Sequence, residues 1–305
     1  MGSAVLVPAT SANLGPGFDS FGLALHLHNR FEADLAGEWS VSVEGEGEGV
    51  LHTGADNRVA AAMALAFREA GRPELRARIE CVNAVPLGNG LGSSSSAIVG
   101  GLLLGENLAG AHFGDQRLLE LAAGMEGHPD NVAAALLGGF TVCWSEDGAF
   151  RAARFEPARG LAAVVIVATS ELPTSESRAM LPDMVSHADA VFNVARAGLL
   201  SAAIATGRSE LLGAALVDRL HEPYRAAAVP DLAVLREILR EAGAAGAALS
   251  GAGPTVIGLV LADTDVNAYA LAEEVAERAA GAVRVLGARR APAAVRVDRT
   301  GARLL

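Results

Sequence analysis

Apolar and polar positions along the chain change period several times, and each change predicts an element. Residues 4–7 (AVLV) predict a short strand that runs into Pro8 and then into a loop, Thr10 to Gly22. Leu23 to Leu35 and Trp39 to Val43 alternate as strands, and Glu44 to Gly49 has the composition of a solvated hairpin tip. Val59, Met63, Ala66 and Phe67 then fall at helical spacing, so a helix is predicted over Val59 to Ala70, with Asp56 or Asn57 as its cap or as a ligand contact. Arg76 to Val82 alternates again and feeds Pro86. Helices are predicted over Ser96 to Leu108 and Gln116 to Met125, with a break at Ala109 to Asp115.

In the second half, Thr141 to Trp144 and the nearly continuous apolar run Leu161 to Thr169 predict strands, with a charged, turn-rich stretch between them. A domain boundary is placed near Pro157, giving domains of residues 1–156 and 157–305. Beyond it, Thr174 to Leu181 carries Arg178 at a helix start, and Ala188 to Ala205, Glu210 to Leu220 and Leu232 to Ala242 predict further helices. Strands at Ala247 to Leu249 and Val256 to Leu261 flank a glycine loop, SGAGPT. A helix over Val266 to Ala280 and a last strand near Ala282 to Leu286 complete a βαβ-like half. Strands and helices interleaved in this way predict an α/β or α+β chain.

Composition narrows the function classes. A net charge of −11 and no basic cluster beyond Arg289-Arg290 argue against nucleic acid as a partner. The longest apolar runs, such as Leu161 to Ala168, fall well short of the roughly 18 residues of a bilayer span. The start lacks a signal-peptide pattern, so a cytoplasmic location without membrane attachment is expected. Cys81 and Cys143 sit far apart in strand-like settings and are expected to be buried, reduced thiols. All 24 basic residues are arginine. Without lysine there is no Walker A lysine, no kinase strand lysine and no Schiff-base chemistry.

Two stretches carry candidate chemistry. In PLGNGLGSSSSAIVGG, Pro86 to Gly101, a glycine- and serine-rich loop opens a helix, and such a mouth binds anions through unpaired N–H groups and the helix dipole. Gly88, Gly90 and Gly92 give G-x-G-x-G with Ser93 next, which departs from the dinucleotide fingerprint. What remains is a lysine-free loop that must balance phosphate charge with backbone N–H groups, hydroxyls and a divalent ion. Magnesium is the ion expected, held by Ser93 or Ser94 and Glu126. The second stretch, MEGHPDNVAAALLGGF, crowds Glu126, His128, Asp130 and Asn131 around a proline, which makes either a surface turn or a ligand site.

Three stretches together, VPATSANLGPGFDSFGLAL (7–25), PLGNGLGSSSSA (86–97) and SGAGPT (250–255), resemble in order and spacing the three motifs of the GHMP kinase superfamily. EGHPDNVAAALLGGF, TSESRAMLP and HEPYR extend the likeness and make it most similar to the homoserine kinase family. The resemblance implies two α+β domains, a nucleotide-binding N-terminal domain like domain 2 of ribosomal protein S5 and a ferredoxin-like C-terminal domain. It implies ATP and Mg²⁺ as cofactors, L-homoserine as the small-molecule substrate and O-phospho-L-homoserine as product, on the path to threonine. Oligomeric state stays open, a homodimer included.

Residue by residue, the resemblance implies that Asn57 lies by the adenine and that Pro86, Gly88, Asn89, Gly90, Leu91, Gly92, Ser93, Ser94, Ser95 and Ser96 wrap the triphosphate. Ser94 and Glu126 would hold the metal. Asn13, Asp19, His128, Arg178, Arg225 and Gly251 would form the amino-acid pocket, with Asn13, Asp130, Asn131 and Arg178 at the reacting groups. The chemistry agrees: Asp19 suits an ammonium, Arg225 a carboxylate and Asn13 a hydroxyl. Ala252 stands where the family pattern has a second serine, and Ser96, where an alanine is commoner, is expected on the helix surface. A kinase of another small alcohol, or a ligand sensor without turnover, remain the alternatives.

Overall fold

The computed structural model describes residues 2–167, 174–286, 288 and 290–305. The first part contains β1 (Ser3–Asn13), β2 (Gly17–Ala36), β3 (Ser40–Gly45), α1 (Arg58–Glu69), β4 (Arg76–Asn83), α2 (Ser93–Ala109), α3 (Asp115–Glu126), α4 (Asp130–Leu137), β5 (Phe140–Glu146) and β6 (Ala149–Phe155). There follow β7 (Leu161–Ile166), α5 (Thr174–Ala179), α6 (His187–Thr206), α7 (Ser209–Ala215), α8 (Glu222–Arg225), α9 (Leu232–Ala242), β8 (Gly246–Leu249), β9 (Val256–Leu261), α10 (Asp265–Val285), β10 (Ala293–Arg296) and β11 (Arg303–Leu304).

The first sheet runs β11-β1-β2-β4-β3, with β5 joining β2 to β6. Its helices cover one face through a core of Val5, Val7, Phe31, Met63, Phe67, Ile79, Ile98 and Leu102. The second sheet runs β10-β7-β9-β8, antiparallel at every neighbour. Strand 4-1-3-2 order with two crossover segments is the ferredoxin-like arrangement, so the expected βαβ-like half is a split unit with β9 between β7 and β8.

The run LAAVVI of β7 is apolar throughout because both its faces are covered. Leu161, Ala163 and Val165 pack toward the first sheet with Leu23, Leu25 and Leu91, while Ala162, Val164 and Ile166 pack under α9 and α10. A register shift between Pro8 and Ala9, opposite His28 and Leu25, lets the long first hairpin serve two cores. Val5, Val7 and Phe31 face the helices, and beyond the shift Ala9, Leu23 and Leu25 face the second sheet.

Several expectations are corrected. Thr10 to Gly22 is almost all strand, with the turn confined to residues 14–16. β3 pairs parallel with β4 across α1, so Glu44 to Gly49 is no hairpin tip. The charged stretch after Glu146 is β6, whose polar residues suit an edge strand. Pro129 does sit at a break, residues 127–129 between α3 and α4, and it caps α4 at a position where a missing N–H costs nothing. α2 begins three residues early, at Ser93, and α7 stops at Ala215. The last strand of the second sheet is β10, and residues 282–285 continue α10. Thr169, the expected end of β7, and Arg289 lie outside the described residues. Cys81 and Cys143 are both free and buried, and burial pushes the Cys81 thiol up to about 12. α6 is long and apolar enough, by length and composition, to cross a membrane, although His187, Asp189, Asn193 and Arg196 interrupt its apolar residues.

Candidate active site

Three loops meet where the two sheets adjoin. The first is the β1–β2 turn, the second the glycine loop entering α2, and the third the Ser250 to Thr255 turn between β8 and β9. Thr10 N–H donates to Leu91 O at 3.0 Å, Gly251 N–H to Ala12 O at 3.0 Å, and Ser250 Oγ to Gly90 O at 2.6 Å. Asn13 Nδ2 donates to Gly251 O at 2.8 Å across 238 residues. The first loop holds Asn13 and Asp19 at φ of 67° and 54°, a left-handed region that Asn and Asp tolerate better than most residues. Asn13 Oδ1 accepts from Asp19 N–H at 3.0 Å, which locks the two together.

The glycine loop depends on glycine for two separate reasons. Gly90 and Gly92 have φ of 75° and 70°, and a Cβ at either position would strike neighbouring atoms: Ser250 O for Gly90, Thr10 Oγ1 for Gly92. Gly92 occupies the cap position of α2 and supplies no side-chain cap, so first-turn N–H groups stay available to an anion.

The cleft these loops enclose is lined by Asn13, Asp19, Gly88 to Gly90, Gly92 to Ser95, Glu126, His128, Asp130, Asn131, Arg178, Arg225 and Gly251 to Gly253. On its other side Gly88, Ser93 and Ser94 also border a mostly apolar cavity of about 220 Å³, with Leu51, Asn57, Val59, Leu87 and Ala97 on its walls. The α2 mouth therefore separates a polar chamber from an apolar one.

Polar side chains in the cleft are held in pairs. Ser94 Oγ donates to Glu126 Oε2 at 2.7 Å and Ser95 Oγ to Glu126 Oε1 at 3.3 Å, with Arg58 Nη1 at 3.5 Å from Oε2. His128 Nδ1 and Asp130 Oδ1 lie 2.7 Å apart, and Asn131 N–H donates to the same oxygen at 2.7 Å. Burial works against the charged ring of His128, but the Asp130 carboxylate outweighs it and raises its pKa above the ordinary value. Asn131 Oδ1 accepts from Thr10 Oγ1 at 2.7 Å. Arg178 makes a two-pronged pair with Asp19, which raises the arginine's pKa further. Arg225 is 2% exposed; burial first, and Arg178 beside it second, lower its pKa.

Most of the residues expected at the site are therefore brought together, but not all. Ser96 does not face the helix surface or the cleft; it is buried, and its Oγ accepts from Asn29 Nδ2 at 3.3 Å. Pro86 and Leu91 line a separate groove with His26 and Tyr269 instead of the cleft. Asn57 caps α1, its Oδ1 accepting from Val59 N–H at 2.9 Å, and it also borders the apolar cavity. Asp19 is engaged by Arg178. Thr10, Phe18, Arg58, Ser250 and His221 were not singled out by sequence. Thr10 and Phe18 in the first motif, Ser250 in the third and His221 at the head of HEPYR carried a local signal as members of those motifs, whereas Arg58 carried none.

Two family models match the chain, the GHMP kinases N terminal domain over residues 57–139 and the GHMP kinases C terminal over residues 200–281. A homoserine kinase of Streptomyces coelicolor is 46% identical over 272 residues, covering 88% of this chain and 87% of that protein. One of Moorella thermoacetica is 42% identical over 253 residues, 83% of this chain and 86% of the relative. Among solved structures, a homoserine kinase from Cytophaga hutchinsonii superposes with a TM-score of 0.87 at 26% identity, covering 100% of this chain and 97% of that one.

Proposed function

The chain belongs to the homoserine kinase family of the GHMP kinases, and from that premise we propose that it transfers the γ-phosphoryl group of ATP to the side-chain hydroxyl of L-homoserine, giving O-phospho-L-homoserine and ADP. The observation that carries this reading is the meeting of an uncapped, lysine-free glycine loop with Asp19, Arg178 and Arg225 in one cleft. The loop offers phosphate a ring of N–H groups, and the three charged residues match an amino acid's ammonium and carboxylate.

In this reading the adenine enters the apolar cavity beside Asn57, and the phosphates cross the α2 mouth at Gly88 to Ser95 into the polar cleft. Asp19 receives the ammonium, Arg225 and Arg178 the carboxylate, and Asn13 and His128 border the hydroxyl. The hydroxyl oxygen attacks the γ-phosphorus in line, the bond to the β–γ bridging oxygen breaks, and the hydroxyl proton passes to a phosphoryl oxygen. A loose transition state asks little of a base, so positioning and charge stabilisation suffice. Asp130, already engaged by His128 and Asn131, serves to orient them.

Ser94 Oγ and Glu126 Oε2 present two hard oxygens 2.7 Å apart at the phosphate end of the cleft, a donor set that fits magnesium with water and phosphate completing its shell. When bound, Mg²⁺ would offset charge on the β- and γ-phosphates. We place the domain boundary at residue 157, between the last strand of the first sheet and the first of the second, with residues 303–304 returning as β11. A cytoplasmic biosynthetic enzyme is the setting that this reading implies. A coupled ADP-release assay with L-homoserine, D-homoserine, serine and mevalonate tests it: turnover confined to L-homoserine is expected, and preference for mevalonate would overturn the assignment.

A further inference from the structure

Among the described residues Arg225 is the largest fully buried side chain, and it has no carboxylate partner. Its Nη1 donates to His221 Nδ1 at 2.9 Å and approaches Gly251 O at 3.4 Å, while its Nε is buried without any partner. No side chain or carbonyl among the described residues takes Nη2. Nε and Nη2 form one edge of the guanidinium, a fork matched to the two oxygens of a carboxylate. Arg225 also lines the cleft, and its guanidinium lies 5.3 Å from the Phe18 ring centroid.

His221 is wholly buried, and its protonation follows from its partners. Its Nε2 lies 2.8 Å from Gly15 O, and a carbonyl can only accept, so Nε2 carries the hydrogen. Its Nδ1 faces the Arg225 N–H, which can only donate, so Nδ1 offers a lone pair and the ring is neutral. The Phe18 ring stacks on the imidazole with centroids 5.3 Å apart, blocking rotation. Asp218 is the nearest carboxylate, 3.8 Å from Nε2. Its oxygens are taken by Asn193 Nδ2 and the N–H groups of Leu220, His221 and Glu222, so it fixes the backbone beneath the ring.

We propose that His221 is a positioning residue for substrate carboxylate binding: its neutral Nδ1 holds one nitrogen of Arg225 and thereby turns the Nε–Nη2 edge to face the bound amino acid. The inference rests on the reading of this cleft as the homoserine site. The charged groups facing the ring are Asp218 from the preceding turn, Arg225 from α8 and Asp19 from β2. Burial first, and Arg225 after it, hold the imidazole's pKa down to about 4 against the pull of Asp218.

Steady-state kinetics of three variants test it. His221→Phe keeps ring volume and the stack on Phe18 but removes the acceptor; His221→Asn restores an oxygen near Nδ1; His221→Gln restores only the donor toward Gly15. The expected result is a KM for L-homoserine raised about 10-fold or more in the Phe and Gln variants. The Asn variant stays within about threefold of wild type, and KM for ATP and kcat change little throughout. Equal KM values in the Asn and Gln variants would overturn the proposal, and that pair decides the matter if His221→Phe fails to fold. Nitrogen NMR of the imidazole in wild-type protein is independent of any substrate: a neutral Nε2–H ring at pH 6 is expected, and a protonated or Nδ1–H ring would overturn the proposal. Lack of wild-type turnover with L-homoserine would instead sink the functional reading.

Discussion

Asp19 and Arg178 lie 159 positions apart in the chain and meet face to face, Nη1 on Oδ2 at 2.8 Å and Nη2 on Oδ1 at 2.6 Å. The pair joins β2 to α5, so the carboxylate proposed to accept the substrate's ammonium also ties the two elements together across the cleft. Both side chains are about one-third exposed, so the pair itself contributes little to stability. Asp19→Asn is therefore expected to leave the melting temperature nearly unchanged. It should raise KM for L-homoserine by roughly 10- to 100-fold, with KM for ATP unaltered. Calorimetry and initial rates check both halves.

Glu126 and Asp130 separate charge stabilisation from proton abstraction. Glu126 accepts from two serines of the phosphate loop, whereas Asp130 accepts from His128 and the Asn131 backbone. In single-turnover measurements at saturating ATP and magnesium, Glu126→Ala is expected to lower the rate more than Asp130→Asn. The reverse order would establish Asp130 as the base.

At Gly92 both conformation and space exclude a side chain. With φ at 70° and Thr10 Oγ1 in the path of a Cβ, Gly92→Ala should cost about 1–3 kcal/mol of stability. It should also raise KM for ATP, because the Thr10–Asn131 hydrogen bond is disturbed together with the helix mouth. Gly88, which also has positive φ but no atom near a Cβ, should show the smaller loss on the same substitution.

Acid stability should depend on Asp298, which ties the C-terminal tail to β2. Burial raises the pKa of its carboxyl, but the His28 ring and the N–H groups of Gly301 and Thr300 outweigh burial and bring it down to about 2. A folded-state value below the ordinary 3.8 means that its contribution is complete above about pH 4 and is lost as pH falls toward 2. The loss should amount to about 2 kcal/mol. Urea unfolding between pH 5 and 2 should show this slope in the wild type and a flatter one in Asp298→Asn.

Much of the site was legible because the local motifs are dictated by backbone chemistry. Glycines at 88, 90 and 92 followed by serines can do few things other than open a helix toward an anion, and the missing lysine narrowed what that anion site could be. What sequence misread was mostly a matter of faces and partners. The first loop looked like a loop because Gly15, Pro16 and Gly17 dominate its composition, yet its residues extend β1 and β2, which pair with each other and, at Phe21 and Gly22, with β5. β6 looked like a turn because an edge strand with one polar side has no apolar run.

By itself, the sequence determined that this chain has a lysine-free, glycine-rich helix mouth, that its apolar runs interleave helices with strands, and, through its family resemblance, which charged residues to look for around that mouth. Only tertiary structure decided that Arg178 grips Asp19, that Ser96 turns away from the cleft toward Asn29, and that neutral His221 holds Arg225. The reason is physical. Local pattern reports which groups a residue can offer, whereas the partners come from segments that meet only when the chain folds: Asp19 and Arg178 are 159 positions apart, Asn29 and Ser96 are 67, and the ring of His221 is fixed by Gly15 across 206.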